Sequence, residues 1–129
     1  MRWVHDLDAF HAQSVGDQER AIGRHKSDSQ GLHGDELPPT AHIERVHLTE
    51  GGSDVDIYRR SVPYGTVAEH GLYFVGFSAD RTRFDRMLAG MFGTSGDGVA
   101  DRLIDFSRPV SGAYYFAPSL TALRELQIE

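Results

Sequence analysis

The side chains most able to do chemistry in this sequence are seven histidines and 19 carboxylates, set against 13 Lys and Arg residues. Cysteine is absent, which excludes disulfides, thiolate metal sites, iron–sulfur clusters and a cysteine nucleophile. A metal would therefore have to be held by histidine or carboxylate. The sequence has no HExxH, EF-hand, phosphate-loop or GxSxG motif, so the common hydrolase and nucleotide-binding patterns do not apply.

His42 stands out among the histidines because of what surrounds it along the chain. A long, turn-rich segment precedes it, and a strand-like run with Arg59 and Arg60 follows. An apolar run with Leu72 and Phe74 comes next. An arginine held against such an apolar wall is costly unless it serves a negative group. These neighbouring segments favour His42 as a metal ligand, although a lone histidine is more often a partly buried hydrogen-bonding side chain.

The two arginines also have a plain structural explanation. Both Arg59 and Arg60 can face solvent and pair with Glu44 or Asp56. Exposed ion pairs of that kind contribute about 0–1 kcal/mol and carry no functional meaning. From spacing alone, this solvent-facing arrangement is the one that the sequence favours.

The elements that must position these side chains follow from periodicity and turn residues. Residues 6–26 predict helix with a break near Gly16, and Asp8 and Ser14 are the predicted caps. Residues 27–40 are rich in turn formers and predict a long loop. Long ordered loops usually cover something, so this loop is a candidate lid or cofactor-wrapping segment.

The middle of the chain predicts strands. Residues 42–48 are either extended or a short helical turn, and residues 55–60 alternate like a strand. A turn is predicted at residues 63–66. Residues 71–77 are apolar throughout, as in a strand buried on both faces. Because strand follows strand here, the pair is predicted to be antiparallel.

The rest of the chain predicts two helices, a strand and a last helix. Asp80 is the predicted cap of a helix that ends near Gly93, and its apolar residues recur at helical spacing, at Phe84, Met87, Leu88 and Met91. A shorter helix is predicted over residues 99–104 and a strand over residues 112–116. Ser119 caps the last helix.

This order of elements predicts an α+β fold of the ferredoxin-like, split βαβ type, with an antiparallel sheet. Its first strand is represented only by residues 1–5, which read as the truncated end of a strand. Residues 1–129 form one domain in this interpretation. The fold hosts many unrelated functions, so function has to be argued from the site.

Composition restricts the partners. The net charge is −6 and no segment concentrates lysine and arginine, so nucleic acid is not an expected partner. No apolar run is long enough to span a membrane. The first residues lack the pattern of a secretory signal, and a cytoplasmic location is the expectation.

Six motifs resemble those of the DyP-type (dye-decolourising) haem peroxidase family, in the family's order and spacing. They are IGRHK at 22–26, AHIERV at 41–46, IYRRSVPYGT at 57–66, GLYF at 71–74, MFG at 91–93 and PVSGAYYFAPSL at 109–120. The resemblance covers nearly the whole chain and is to the C-terminal, haem-ligating half of the family.

The resemblance implies a set of roles for individual residues. His42 stands where the family's axial iron ligand sits, and Arg59 stands at the distal arginine. Leu72 and Phe74 stand at the apolar wall above the haem. Asp101 occupies the place of a carboxylate bonded to the proximal histidine, and such a partner increases the donor strength of the imidazole.

The resemblance also adds one cofactor-binding residue, and the role of Asp101 has alternatives. Arg24, in the IGRHK motif, is also expected to bind the cofactor, which the family implies to be one haem b (iron protoporphyrin IX). Asp105 is near enough in sequence to compete with Asp101 for the histidine. Asp101 can alternatively be a helix N-terminal carboxylate beside the helix dipole, worth a few tenths of a kcal/mol.

The activity that the resemblance implies is oxidation of dyes, phenolic compounds or other organic donors by hydrogen peroxide, with Arg59 stabilising charge on the departing oxygen. The family's GxxDG motif, which belongs to the N-terminal half and supplies a distal aspartate, is absent. The alternative is therefore a truncated haem-binding half-domain, largely inactive unless it pairs with a missing N-terminal half or forms a homo-oligomer. A cofactor-free ferredoxin-like module is the third possibility.

Overall fold

Four strands pair into one antiparallel sheet in the computed structural model, which describes residues 1–126. They are β1 (Arg2–His5), β5 (Val62–Gly65), β6 (His70–Tyr73) and β8 (Ser107–Ser111). Their order is β5-β6-β1-β8, and every neighbouring pair is antiparallel. The first strand thus lies between the third and fourth strands of this sheet. This arrangement confirms the predicted ferredoxin-like α+β fold.

Two further strand pairs are short. They are β2 (Thr49–Glu50) with β3 (Ser53–Asp54), and β4 (Tyr58–Arg59) with β7 (Gly76–Phe77). Gly51 and Gly52 connect β2 to β3 with φ angles of 57° and 81°. Positive φ at both central residues is what a two-residue hairpin needs to match the strand twist, so glycine is required at both.

The described residues also form five α-helices: α1 (Leu7–His11), α2 (Val15–Ile22), α3 (His42–Arg45), α4 (Thr82–Met91) and α5 (Leu120–Glu125). Ser14 caps α2 as predicted, its hydroxyl accepting the N–H of Asp17. Asp6, and not Asp8, caps α1, because that helix begins one residue after Asp6. The break in the predicted helix comes before α2, and Gly16, where the break was predicted, lies inside α2. No helix among residues 1–126 is long and apolar enough to cross a bilayer.

Two edge strands were predicted wrongly. Residues 63–65 belong to β5, and the turn follows that strand, where the Thr66 hydroxyl accepts the backbone N–H of Glu69. The last strand is β8, which ends at Ser111, and not the predicted run over 112–116. Both strands contain a proline and lie at the edges of the sheet, where a missing N–H costs no ladder hydrogen bond.

Other boundaries also differ from the predictions. The predicted strand over 71–77 divides into β6 and β7, and Phe77 is half exposed, so it is not buried on both faces. Only Tyr58–Arg59 of the run 55–60 is a strand. The predicted helix over 99–104 is a 3₁₀ turn at Arg102–Asp105. The loop over 27–40 contains one 3₁₀ turn at Gly34–Glu36.

The hydrophobic core lies between the sheet and the helices. Leu48, Ile57 and Met87 form one buried cluster, against which four half-buried side chains pack: Val46, Val55, Phe74 and Phe84. Trp3, in the central strand, is buried and stacks on Phe92 with 6.3 Å between ring centroids. Helix α4 therefore packs on both the cluster and the sheet.

Helices α3 and α4 approach each other so closely that one position must be glycine. A Cβ atom built on Gly90 of α4 would lie 2.1 Å from the backbone oxygen of Arg45, at the end of α3. Backbone atoms cannot move aside as a flexible side chain can. The contact therefore fixes the position of α3 against α4.

Gly90→Ala is expected to lower the free energy of unfolding by about 1–3 kcal/mol, since α3 and α4 must separate to accept the methyl group. Gly16→Ala is the matched control. There the nearest atom to a new Cβ is the end of the Arg20 side chain, 3.5 Å away, and alanine in helix α2 should stabilise by roughly 0.5–1 kcal/mol. Urea denaturation measures both. Equal effects of the two substitutions would contradict the proposed backbone clash.

Candidate functional site

His42 is the first residue of the short helix α3, and the end of α2 fixes the position of that helix. Gly23 ends α2 with a φ angle of 89°, and a Cβ atom there would lie 2.4 Å from the Ile43 side chain. Its carbonyl also accepts the N–H of Leu32, which is buried. Ala41, immediately before His42, is completely buried. The helix thus has little freedom to shift.

His42 forms a short hydrogen bond with a buried carboxylate. Its Nδ1 lies 2.6 Å from Oδ2 of Asp101, whose side chain is 0% exposed, whereas the His42 side chain is 29% exposed. Oδ1 of Asp101 accepts the N–H of Leu103, and the backbone N–H of Asp101 donates to the carbonyl of Met91. Both carboxylate oxygens and the backbone are therefore held in place.

Asp105 does not reach the histidine. Its carboxylate pairs with Arg102 at the surface, and about half of each of these two side chains is exposed. The structure thus brings His42 together with Asp101 and leaves Asp105 outside the pair. Asp101 also caps the 3₁₀ turn that follows it. Its Oδ1 provides the cap and its Oδ2 contacts the histidine, so Asp101 has both roles.

The pairing decides which nitrogen of the His42 ring is free. An ionised carboxylate can only accept, so Nδ1 carries the hydrogen and the lone pair of the neutral ring lies on Nε2. Nε2 has no hydrogen-bond partner among residues 1–126. A metal-ligating histidine characteristically gives its other N–H to a carboxylate in this way. The His42 ring can therefore bind a metal through one nitrogen, Nε2.

A single histidine nitrogen can serve a metal ion whose other ligands come from a cofactor. Within residues 1–126, no group of three or more His, Cys, Asp and Glu side chains could hold a metal ion. A porphyrin supplies four nitrogens to its iron and needs only an axial ligand from the protein. A single imidazole with a fixed tautomer meets that requirement, so the residues present fit haem.

Arg45, three residues after His42 on the same helix, joins α3 to the loop after α4. Its Nε donates to the carbonyl of Gly90 at 3.1 Å. Its two terminal nitrogens donate to the two oxygens of Asp97 at 2.8 and 3.1 Å, and one also donates to Ser95. The Arg45 guanidinium holds the pKa of the Asp97 carboxyl well below its usual range, with help from the Val99 N–H.

Among residues 1–126, none of the distal residues suggested by the sequence hydrogen-bonds to His42 or Asp101. Arg59 is exposed on β4, opposite Gly76 of β7, which has no side chain to cover it. Among the described residues the Arg59 guanidinium is therefore exposed to solvent, as its spacing alone favoured. Leu72 lies on β6, between Trp3 of β1 on one side and strand β5 on the other. Phe74 packs on the core cluster.

The remaining arginines have other partners. Arg24 donates to the carbonyl of Ser29 at 2.9 Å and closes the start of the loop before His42. Arg60 stacks its guanidinium over the ring of Tyr58 at 4.4 Å. Among residues 1–126, neither Arg59 nor Arg60 forms an ion pair with Glu44 or Asp56. Solvent exposure was thus predicted correctly for both, but the ion pairs were not.

Sequence reasoning missed the contact between Arg45 and Asp97. One signal was available, because residues at i and i+3 on a helix share a face, which places Arg45 beside His42. The partner could not be identified, since Asp97 lies 52 residues further along the chain. Nothing in the composition of its glycine-rich turn distinguishes that carboxylate from other loop carboxylates.

Residues 1–122 match the protein family described as "Dyp-type peroxidase, C-terminal". The chain is similar to a dye-decolorizing peroxidase of Mycolicibacterium paratuberculosis, with 37% identity over 125 residues. Those residues are 95% of this chain but 35% of that relative. The chain thus spans about a third of the length of this relative.

Solved structures resemble the fold as well as the sequence. A dye-decolorizing protein from V. cholerae superposes with a TM-score of 0.87 and 40% identity, over 95% of this chain and 41% of that one. A variant of DypB from Rhodococcus jostii RHA1, solved in complex with heme, gives a TM-score of 0.77 and 34% identity, over 82% and 35%.

Proposed function

Because the chain belongs to the Dyp-type peroxidase family, as its C-terminal part, we propose that it binds one haem b with His42 as the axial ligand of the iron. A relative of similar fold binds heme. The observation that carries the proposal is the 2.6 Å hydrogen bond between His42 and the buried Asp101. That bond leaves the lone pair of Nε2 available to bind iron, and a carboxylate partner of this kind orients a ligating histidine.

We further propose that the haem supports oxidation of organic donors, such as dyes and phenolic compounds, by hydrogen peroxide. Peroxide takes up two electrons and two protons and becomes two waters, and the donors supply both. Bound haem supplies the iron centre at which electrons are exchanged. Arg59 stabilises negative charge on the peroxide oxygens, for which a guanidinium is well suited.

Other side chains bind the cofactor and exclude water in this proposal. Leu72 and Phe74 provide an apolar surface on the side of Arg59. Arg24 supplies a positive charge for a carboxylate of the porphyrin, in the loop that precedes the histidine. Arg59 is exposed in the described residues, so its distal role requires a further element that covers it.

A partner chain is part of the proposal. The chain spans about a third of its relative, and its sequence lacks a GxxDG motif. Several large apolar side chains are also exposed, among them Val62, Tyr115, Phe116 and Leu120. An N-terminal half or a second copy would cover such surface, and an N-terminal half would also supply the distal acid that this sequence lacks. Without it, the chain would bind haem and turn over little peroxide.

Reconstitution with haem b tests the proposal and separates these alternatives. A shifted Soret band on addition of haem would distinguish both haem functions from a cofactor-free module. Peroxide-dependent dye oxidation above that of the same concentration of free haem would then establish a peroxidase, and its absence would establish a haem-binding half-domain. Haem that stays spectroscopically free in the presence of folded protein would refute the proposal.

When the element that covers Arg59 is present, Arg59→Ala is expected to lower peroxide-dependent oxidation by roughly 100-fold or more, the usual cost of losing a group that stabilises charge in the transition state. The Soret band should stay, since the histidine is untouched. Arg60→Ala is the control, because its guanidinium lies over Tyr58 and has no proposed role. Stopped-flow kinetics with peroxide measures both. Equal rates in the two variants would exclude the distal role of Arg59.

A further inference from the structure

We infer that Arg45 is a positioning residue, which holds Asp101 at the right distance from His42 by clamping the loop between α4 and Asp101. The effect on haem rests on the proposed function, because it requires His42 to be the ligand. The effect on the histidine itself does not require haem, and the two can be measured separately.

The clamp is formed by one nearly buried guanidinium. The Arg45 side chain is 10% exposed, and its nitrogens contact the end of α4 and two residues in the middle of the loop. Asp97 meets it with both carboxylate oxygens. Such bidentate pairs fix geometry as well as charge, because the guanidinium is planar and its donors are set in a rigid fork.

The loop needs a clamp because of its glycines. Gly93, Gly96 and Gly98 have φ angles of 67°, 108° and 68°. Glycine has more conformational freedom than any other residue, so a loop with three of them is costly to order. Asp101 follows three residues after the last of them. Its side chain must nevertheless meet His42 at 2.6 Å.

His42 and Asp101 are thus connected by a second route, through Arg45, besides their own hydrogen bond. His42 and Arg45 lie on the same helix, and Arg45 grips the loop that leads to Asp101. The loop's far end is fixed by backbone hydrogen bonds, from Asp101 to Met91 and from Arg102 to Thr40. Loss of the clamp would leave these bonds, and the bond from the Leu103 N–H to Oδ1 of Asp101, to determine where the carboxylate stands.

Three variants of the full chain test the inference. Arg45→Lys keeps the charge but loses the fork, and Asp97→Ala removes the partner carboxylate, whose side chain is about half exposed. Glu50→Gln is the control. It weakens another arginine cluster on α4, formed with Arg83 and Arg86, which does not touch the pair.

The first readout is the apo protein. In ¹⁵N-edited NMR, the ring nitrogens of His42 should report a fixed Nδ1–H in the unaltered chain and an exchanging mixture of tautomers in Arg45→Lys and Asp97→Ala. The second is haem titration, in which both variants should bind roughly tenfold more weakly, as expected when support of a ligating histidine is lost. Far-UV circular dichroism checks the fold.

The outcomes separate the two proposals. An unaltered His42 tautomer and haem affinity within twofold in both variants would overturn the positioning role, whatever the haem does. Equal losses in Glu50→Gln would also overturn it, since a general effect on α4 would then be the cause. Failure of the unaltered chain to bind haem would refute the proposed function and leave the apo NMR result to decide the role of Arg45.

Discussion

His42→Ala is expected to abolish the haem-dependent Soret shift and to raise the Kd for haem by more than roughly 100-fold. Loss of an outer partner of a metal ligand already costs 10–100-fold, and here the ligand itself is removed. The other histidines cannot replace it, because within residues 1–126 His42 alone hydrogen-bonds a fully buried carboxylate. Titration of the protein with haem, followed at the Soret band, measures the effect.

The substitution also leaves Asp101 with an unpartnered oxygen in the interior, which should cost about 1–3 kcal/mol of stability. His42→Gln therefore accompanies it. A glutamine amide can donate to the carboxylate but offers the iron no basic nitrogen, so this variant should fold and still fail to bind haem.

His47→Ala is the matched control for the ligand. His47 also pairs with an aspartate, its Nε2 lying 3.2 Å from Asp54, but both side chains are at least half exposed. Exposed pairs contribute little and do not fix a ring. This variant should bind haem like the unaltered chain. A Soret shift that survives in His42→Ala and His42→Gln would exclude His42 as the ligand.

The fold was predictable because its signals are mostly local. Serine caps at Ser14 and Ser119 mark helix starts that the structure confirms, and the apolar spacing over residues 84–91 falls within α4. A helical period and a capping side chain depend only on residues a few positions apart. The order of helices and strands then leaves few topologies.

Edge strands were mispredicted because local and non-local signals disagree there. Pro63 and Gly65 resemble a turn, yet β5 pairs with β6. Pro109 argues against a strand, and the β-favouring run 112–116 argues for one, yet β8 at 107–111 is the strand that pairs with β1. The pairing of β8 depends on a partner strand about a hundred residues away in the sequence, and a proline at a sheet edge deters unwanted pairing.

The site was predictable only in part for the same reason. His42 and Asp101 are 59 residues apart, and no spacing rule relates them, so only the resemblance to a family linked them before the structure. The choice between Asp101 and Asp105 needed coordinates, since both are acidic residues around one turn. Spacing alone favoured an exposed Arg59, which the structure confirms, but it could not predict what covers the side chain, because that depends on residues far away in the sequence.

Asp101→Asn is expected to weaken haem binding by about 10–100-fold, with a loss of stability of about 1–3 kcal/mol. The reason is geometric. One oxygen of Asp101 must accept the N–H of Leu103 and the other accepts Nδ1–H of His42. An asparagine has only one acceptor oxygen, so it cannot serve both.

Either orientation of the asparagine is harmful. If its oxygen stays with Leu103, its amide N–H₂ faces His42, whose Nδ1 must then accept, so the hydrogen moves to Nε2 and blocks the ligating nitrogen. If the amide turns over, His42 keeps its tautomer, but the N–H of Leu103 faces a second donor and the 3₁₀ turn loses its cap. Haem titration records the first effect and urea denaturation the second.

Asp105→Asn provides the decisive comparison, because it makes the same chemical change four residues away. Asp105 pairs with Arg102 at the surface, and that exposed contact should contribute about 0–1 kcal/mol. Haem affinity in this variant should stay within twofold of that of the unaltered chain, and the His42 ring should keep its hydrogen on Nδ1. If Asp101→Asn bound haem as tightly as Asp105→Asn does, the buried carboxylate would not be orienting the ligand. The iron would then be bound by an imidazole whose tautomer the protein does not fix.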